Sequence, residues 1–264
     1  MPELRKFLAF DTSTDQLSIA VTDGTRVWQH GGPGGAQASI TLIPAILALL
    51  AEAGLSLGEL DAIAFGRGPG SFTGLRTACA VAQGLAFGAN HGAGLPVLPI
   101  DTLMAVAEEA RFQWAATKEH FIDDQRFAVT ALLDARMNQM YLQHYECSSG
   151  VWTSFKGCEL IRPEDLAPEP GPRLLAGNVF DVYADRLPVA LASFAHMKAL
   201  PTASALLRLA PALAAAGHCV DAALALPLYV RDKVAFTTEE RARIKAGASI
   251  DTNLPNPRQA VSLP

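Results

Sequence analysis

Gly66-Arg67-Gly68-Pro69-Gly70-Ser71-Phe72-Thr73-Gly74 stands between an apolar run, Asp61–Phe65, and an alanine-rich stretch, Gly74–Gly88. The run reads as a buried strand and the stretch as a helix, so the glycines mark a strand-to-helix turn. That order is the building unit of an α/β fold. Glycines permit positive φ and close backbone approach, Ser71 or Thr73 can cap the helix, and free N–H groups at a helix start attract anions. From the residues alone the stretch is either a cradle for a phosphate or carboxylate, or a tight turn that aims the helix. It matches none of the named loops. A dinucleotide fingerprint starting at Gly66 needs glycine where Ser71 stands, and a P-loop needs a lysine that is not there. A nucleophile elbow needs glycines where Pro69 and Thr73 stand.

Working outward, Leu4–Phe10 is a short apolar strand closing on Asp11. Leu17–Val21, the turn Asp23-Gly24 and Arg26–His30 complete three antiparallel strands. Gly31–Gly35 reads as a loose link into a helix over Ala38–Ala53, stopped by Gly54. Pro96–Ile100 is a strand, and Asp101 caps a third helix. After the mixed-charge stretch Arg111–Arg126, the strand Ala128–Leu133 ends at Asp134 as the first ends at Asp11. Gln139–Tyr145 pairs with it, and Val151–Leu160 continues the sheet. Arg173–Ala176 is another strand, Gly177-Asn178 opens a helix, and Ala203–Ala216 is an apolar helix. The pattern predicts a β-β-β-α-β-α unit that occurs twice, hence two α/β lobes with a cleft between them. The first spans 1–104, with 203–235 packing back near it; the second, degenerate, spans 105–202; and 247–264 is a flexible tail. Asp11 and Asp134 then lie at carboxyl ends of strands, where such folds take ligands. Asp11, Thr12, Ser13 and Thr14 suit a nucleotide phosphate and its magnesium, but by themselves read first as an ordinary turn that bonds its own backbone.

Half of the 264 residues are hydrophobic and the formal net charge is −5, which excludes a disordered chain and gives no electrostatic reason for tight binding to nucleic acid. Cys79, Cys147, Cys158 and Cys219 form no C-x-x-C, so they are expected to be reduced, in a cytoplasmic protein. The opening MPELRKFLAFD is too short for a signal peptide. Thr77–Ile100 carries no charge, but its glycines, prolines, Gln83, Asn90 and His91 make it a helix, loop and strand and not a membrane span. The histidines offer no H-x-x-x-H, so no metal is expected. Glu108-Glu109, Asp123-Asp124 and Glu239-Glu240 read as solvated faces.

The first two helices are apolar over more than one face. Ile40, Ile43, Leu47 and Leu50 recur at helical spacing on one, and Leu75, Ala78, Cys79, Ala82 and Ala86 on the other. A helix covering one sheet face needs a single stripe. The excess is expected to meet either a partner protein or neighbouring helices of the same chain.

Taken with Phe7–Thr14, the segment Gly66–Arg76, Ala82–Ala86, Asp134-Ala135-Arg136 with Tyr141, and Pro227–Arg231, the chain resembles the bacterial TsaB (YeaZ) family from about Leu4 to Val234. The resemblance implies a two-lobed actin/Hsp70-like (ASKHA) fold. It implies a non-catalytic scaffold or activator that pairs with TsaD, and with TsaE, for threonylcarbamoyl transfer to the adenosine next to the anticodon of ANN-decoding tRNAs. Pairing, and homodimer formation in isolation, would use Ile40, Ile43, Leu47, Leu50, Leu75, Ala78, Cys79, Ala82 and Ala86. Asp11, Thr12, Ser13, Gly68, Gly70 and Ser71 would be a vestigial phosphate or nucleotide site. The chain alone would bind no cofactor; ATP and magnesium would serve the complex, tRNA would be met only through it, and no membrane would be involved. Ala38 stands where the family often carries a lone histidine. Two other readings are a glycoprotease-like peptidase and a free-standing ASKHA ATPase. The first needs a metal or an activated nucleophile. The second needs two working phosphate hairpins, and Asp134-Ala135-Arg136 lacks the hydroxyls that follow Asp11.

Overall fold

The computed structural model describes residues 5–89, 92, 94–117, 126–167, 171 and 173–231. Met1–Leu228 forms one compact unit, and Tyr229 begins another. The expected tail over 247–264 lies outside the described residues.

A five-stranded sheet is built from β1 (Phe7–Asp11), β2 (Gln16–Thr22), β3 (Val27–Pro33), β4 (Ala62–Gly68) and β5 (Val97–Asp101), in the order β3-β2-β1-β4-β5. β1 and β2, and β2 and β3, are antiparallel, whereas β4 runs parallel to both β1 and β5. The second sheet uses β6 (Phe127–Asp134), β7 (Met140–Ser148), β8 (Val151–Ser154), β10 (Leu174–Gly177) and β11 (His196–Lys198), in the order β11-β10-β6-β7-β8, with β9 (Glu159–Ile161) also on β7. Its pairings repeat the first: β6/β7 and β7/β8 antiparallel, β6/β10 and β10/β11 parallel. This duplicated topology is the ASKHA-type α/β fold. Asp11 ends β1 and Asp134 ends β6.

The helices show where the copies diverge. The first has α1 (Ala38–Ala53) and α2 (Phe72–Gly88). At corresponding places among the described residues, the second has a 3-10 turn, Pro163–Asp165, and a four-residue helix, α4 (Val179–Val182). α3 (Thr102–Ala116) follows β5, and α5 (Ala203–Ala215) follows β11. α3 packs against β6 and against α5, while α5 lies on β1, β2 and β4 of the first sheet.

Side-chain alternation along the strands separates two layers of core. Leu8, Phe10, Ile19, Ile63 and Phe65 belong to the cluster that includes Leu42 and Ile46 of α1 and Ala78 and Ala82 of α2. Ala9, Ala20, Ala62 and Ala64 point the other way, into the cluster with Ala203, Leu206 and Ala210 of α5. Large residues thus meet α1 and α2, while the alanines, flanked by Phe7, Leu98 and Ile100, let α5 approach closely.

Several expectations are corrected. Val151–Leu160 does continue the sheet, but as two strands and not one: β8 pairs with Tyr145–Ser148 and β9 with Met140–Leu142, so the two share one edge of β7. Gly31 and Gly32 belong to β3. Gly34 is no loose link: a Cβ there would lie 2.7 Å from the Thr14 carbonyl oxygen, and its N–H bonds Asp15 O at 2.9 Å. Ser71 and Asp101 are the N-cap residues of α2 and α3, but neither side chain caps. Asp101 instead holds Arg67 Nε at 2.6 Å. Gly54 stops α1 as expected, at φ 68°, its N–H on the carbonyls of Ala51 and Leu50.

Candidate functional site

Asp11, Thr12, Ser13, Gly70 and Ser71 do come together; Gly68 is set apart from them, a Cβ there lying 2.5 Å from Leu228 O and its N–H donating to the Thr102 hydroxyl at 3.1 Å. The glycine stretch is a cradle. What lies in it is the chain's own β1–β2 turn. A Cβ on Gly66 would overlap Asp11 Oδ2, and one on Gly74 would overlap the Thr12 carbonyl oxygen. At Gly70 a Cβ would lie 2.6 Å from that of Ser13. The Ser71 N–H donates to Ser13 O at 2.7 Å, so the turn takes a donor at the start of α2. The Thr12 hydroxyl donates to Gly74 O at 2.7 Å, and the Ser13 hydroxyl and N–H donate to Asp11 Oδ1 at 2.6 and 2.9 Å. Asp11, Thr12 and Ser13 are all buried. These residues do not fit a phosphate with its magnesium: the hydroxyls are turned onto the chain, and the close-approach space is filled.

Asp11 is left costly. Its Oδ2 is buried with no hydrogen-bond partner. Burial pushes the carboxyl up from 3.8 to about 6, against the pull of the two Ser13 donors. Because the folded pKa lies above the unfolded one, this group's contribution is full below about pH 4 and is lost as pH rises through 6. About two pH units at roughly 1.4 kcal/mol each amount to about 3 kcal/mol. Asp11→Asn keeps an acceptor for Ser13 and removes the charge. It is expected to raise stability by up to about 3 kcal/mol at pH 8. At pH 4 it is expected to melt with the wild type. Thermal unfolding at the two pH values checks this; a variant that melts lower at pH 8 would refute it.

The corresponding turn in the second sheet is held differently. Asp134 Oδ1 accepts from the Tyr183 hydroxyl at 2.7 Å and from the Arg136 N–H at 2.8 Å. Gln139 N–H closes the turn onto Arg136 O.

The expected interface residues divide sharply. Ile40, Ile43 and Leu47 are exposed, at 76%, 43% and 50%. With Pro44, Ala48 and Ala51 they form an exposed, uncharged stripe at helical spacing along α1. Leu50, Leu75, Ala78, Cys79, Ala82 and Ala86 are corrected: all six are buried within this chain. Leu50 stands at the junction of α1's two stripes and turns inward with Leu42, Ile46 and Leu49. The α2 residues face the first sheet, and Cys79 Sγ and Gln83 Nε2 also bind Ala225 O of the segment beyond α5. The outward side of α2 is Thr73, Arg76, Ala80, Gly84 and Phe87, none of them among the expected interface residues although their spacing is equally helical. Gly35–Ala53 is long and apolar enough to cross a membrane by length and composition, with mean hydropathy 1.6. Its inner stripe, however, packs on β2 and β3. Ala38, at the start of α1, is fully buried.

Glu108-Glu109 is no solvated face. Glu108 is buried and accepts from Arg111 Nε at 2.9 Å, Arg208 Nε at 2.8 Å and Trp152 Nε1 at 3.1 Å. Glu109 holds Arg208 Nη2 at 2.6 Å and the Thr202 hydroxyl at 2.8 Å. The network joins α3, α5 and β8. Beside it opens a cavity of about 310 Å³ lined by Ser18, His30, Glu109, Phe112, Thr202 and Arg208 among others. Asp123-Asp124 and Glu239-Glu240 lie outside the described residues. All four thiols are free, and burial raises those of Cys79, Cys158 and Cys219, Cys158 to about 12. Among the described residues no three His, Cys, Asp or Glu side chains gather to hold a metal ion.

Comparison with known proteins agrees with this architecture. The family model described as TsaD, tRNA N6-adenosine threonylcarbamoyltransferase, matches residues 35–223. The chain is 35% identical over 244 residues to the tRNA threonylcarbamoyladenosine biosynthesis protein TsaB of Haemophilus influenzae, covering 87% of this chain and 94% of that one. It is 30% identical over 237 residues to the Escherichia coli K12 protein of the same name, covering 88% and 96%. The solved structure of YeaZ from Pseudomonas aeruginosa is similar with a TM-score of 0.72 at 35% identity, over 86% of this chain and all of that one.

Proposed function

This chain belongs to the TsaB (YeaZ) family, and we propose that it is a non-catalytic scaffold and activator in the formation of threonylcarbamoyladenosine in tRNA. It pairs through the outer face of α1 with TsaD, the subunit that transfers the threonylcarbamoyl group to the adenosine beside the anticodon of ANN-decoding tRNAs. TsaE joins that pair, and ATP and magnesium serve the complex. In isolation the same face is closed by a second copy. The protein works in the cytoplasm and meets tRNA only through the complex.

The observation that carries this reading is the division of labour between two places in the first sheet. The turn that would receive a phosphate is packed shut by Gly66, Gly70 and Gly74, whereas α1 leaves Ile40, Ile43 and Leu47 in water. Apolar residues contiguous along a helix are stabilised when covered, at roughly 25 cal/mol per Å². Contacts that favour one state of TsaD would raise its activity without donating a reacting group. Ala38, which by the family resemblance stands where a lone histidine is often found, is a buried methyl and offers no ligand to a metal, in keeping with the same reading.

Reconstitution tests it. With TsaD, TsaE, ATP, magnesium, a supply of threonylcarbamoyl-adenylate and tRNA, modified adenosine is expected to form only when this chain is added. The chain alone is expected to hydrolyse neither peptide nor ATP. An unchanged yield when it is left out would overturn the proposal, as would turnover by the chain alone.

A further inference from the structure

The turn between β6 and β7 is strained at three successive positions. Arg136, Met137 and Asn138 have φ of 60°, 54° and 60°, all left-handed, and none is glycine. A Cβ disfavours that region, and a run of such residues persists only where the surroundings hold it. Here they do. The Arg136 N–H binds Asp134 Oδ1, and the Asn138 side-chain oxygen accepts from Arg186 Nη1 at 2.9 Å. Arg186 is itself fixed on Glu164, and the Tyr183 hydroxyl reaches Gln139 O. The outcome of this bracing is the direction of one side chain. Arg136 Nη2 crosses to Asp15 Oδ2 at 2.6 Å, 121 positions away in the other sheet's hairpin, with Asp134 Oδ2 at 3.7 Å from its Nε. Asp15 is anchored in turn, because its carbonyl accepts the Gly34 N–H at the end of β3.

We propose that Arg136–Asp15 is a clasp that holds the two hairpins, and with them the two sheets, in one setting, and that the left-handed turn exists to aim the guanidinium across. This device lies at the ends of β1 and β6 and does not depend on α1 or on any partner. An exposed ion pair is weak by itself, so the clasp selects between settings and does not carry the fold.

Backbone amide hydrogen exchange on the full chain tests it, read at Gly34 in the first half and Gln139 in the second. Arg136→Met is expected to speed exchange at Gly34 by about two- to fivefold, and Asp15→Asn to do the same at Gln139. Raising the salt of the wild type to about 1 M is expected to reproduce both changes, because screening weakens an exposed pair. Met137→Gly, which relieves the turn, is expected to shrink the effect of Asp15→Asn at Gln139. If Arg136→Met leaves Gly34 unchanged and Asp15→Asn leaves Gln139 unchanged, the hairpins are independent and the clasp is refuted.

Discussion

Ala82→Asp is expected to cost the chain its fold and not merely a partner. Ala82 is fully buried in the cluster that contains Phe10, Ile46, Phe65 and Ala86. A carboxylate there has no counter-charge in that cluster, and an unpaired buried charge costs on the order of 3–5 kcal/mol. That is a large share of the roughly 5–15 kcal/mol by which a folded domain is stable. For a compact unit of this size it lowers the melting temperature by roughly 6–20 °C. Circular dichroism on heating reads the effect. Native melting combined with lost association would instead place Ala82 in an interface and contradict its burial.

Leu47→Glu is expected to do the opposite. Leu47 is half exposed on the outer stripe of α1, so a charge there stays in water in the free chain. Melting is expected to shift by no more than about 0.5 kcal/mol, as for a surface substitution. In the complex the same charge would be desolvated against an apolar surface in place of an apolar anchor. Loss of such an anchor costs about 2–4 kcal/mol, or roughly 100-fold in affinity for TsaD. Sedimentation or calorimetric titration measures it. Equal affinity for both forms would remove α1's outer face from the account. Binding of the wild type to lipid vesicles, lost in Leu47→Glu, would assign that face to a membrane instead.

Much of the fold is legible in the residues, because strand alternation, turn chemistry and stop signals are local. Asp23-Gly24 and Gly54 fix the β2–β3 hairpin and the end of α1, and the ending of Leu132-Leu133-Asp134 like Ala9-Phe10-Asp11 locates the second copy. The inner and outer sides of α1 and α2 are not legible in the same way. A helix with apolar residues on two faces has two stripes of the same period, and periodicity does not say which one the sheet takes. Leu50 sits between the stripes of α1, and alanines such as Ala78 and Ala82 suit a core or an interface equally. Glu108 is hidden for another reason. Its partners Arg208 and Trp152 are 100 and 44 positions away, and only tertiary packing brings them together. The glycines of the 66–74 stretch were readable as a cradle, yet its occupant was not, since Thr12 and Gly74 are 62 positions apart.

The central claim is that the first sheet contributes a docking helix and no chemistry of its own. The most direct test is the yield of threonylcarbamoyladenosine in the reconstituted reaction with Leu47→Glu or Asp11→Asn in place of the wild-type chain. The account predicts that Leu47→Glu supports almost no modification at protein concentrations where the wild type saturates, and that Asp11→Asn supports the wild-type yield. Full yield with Leu47→Glu, or a lost yield with a well-folded Asp11→Asn, would contradict it.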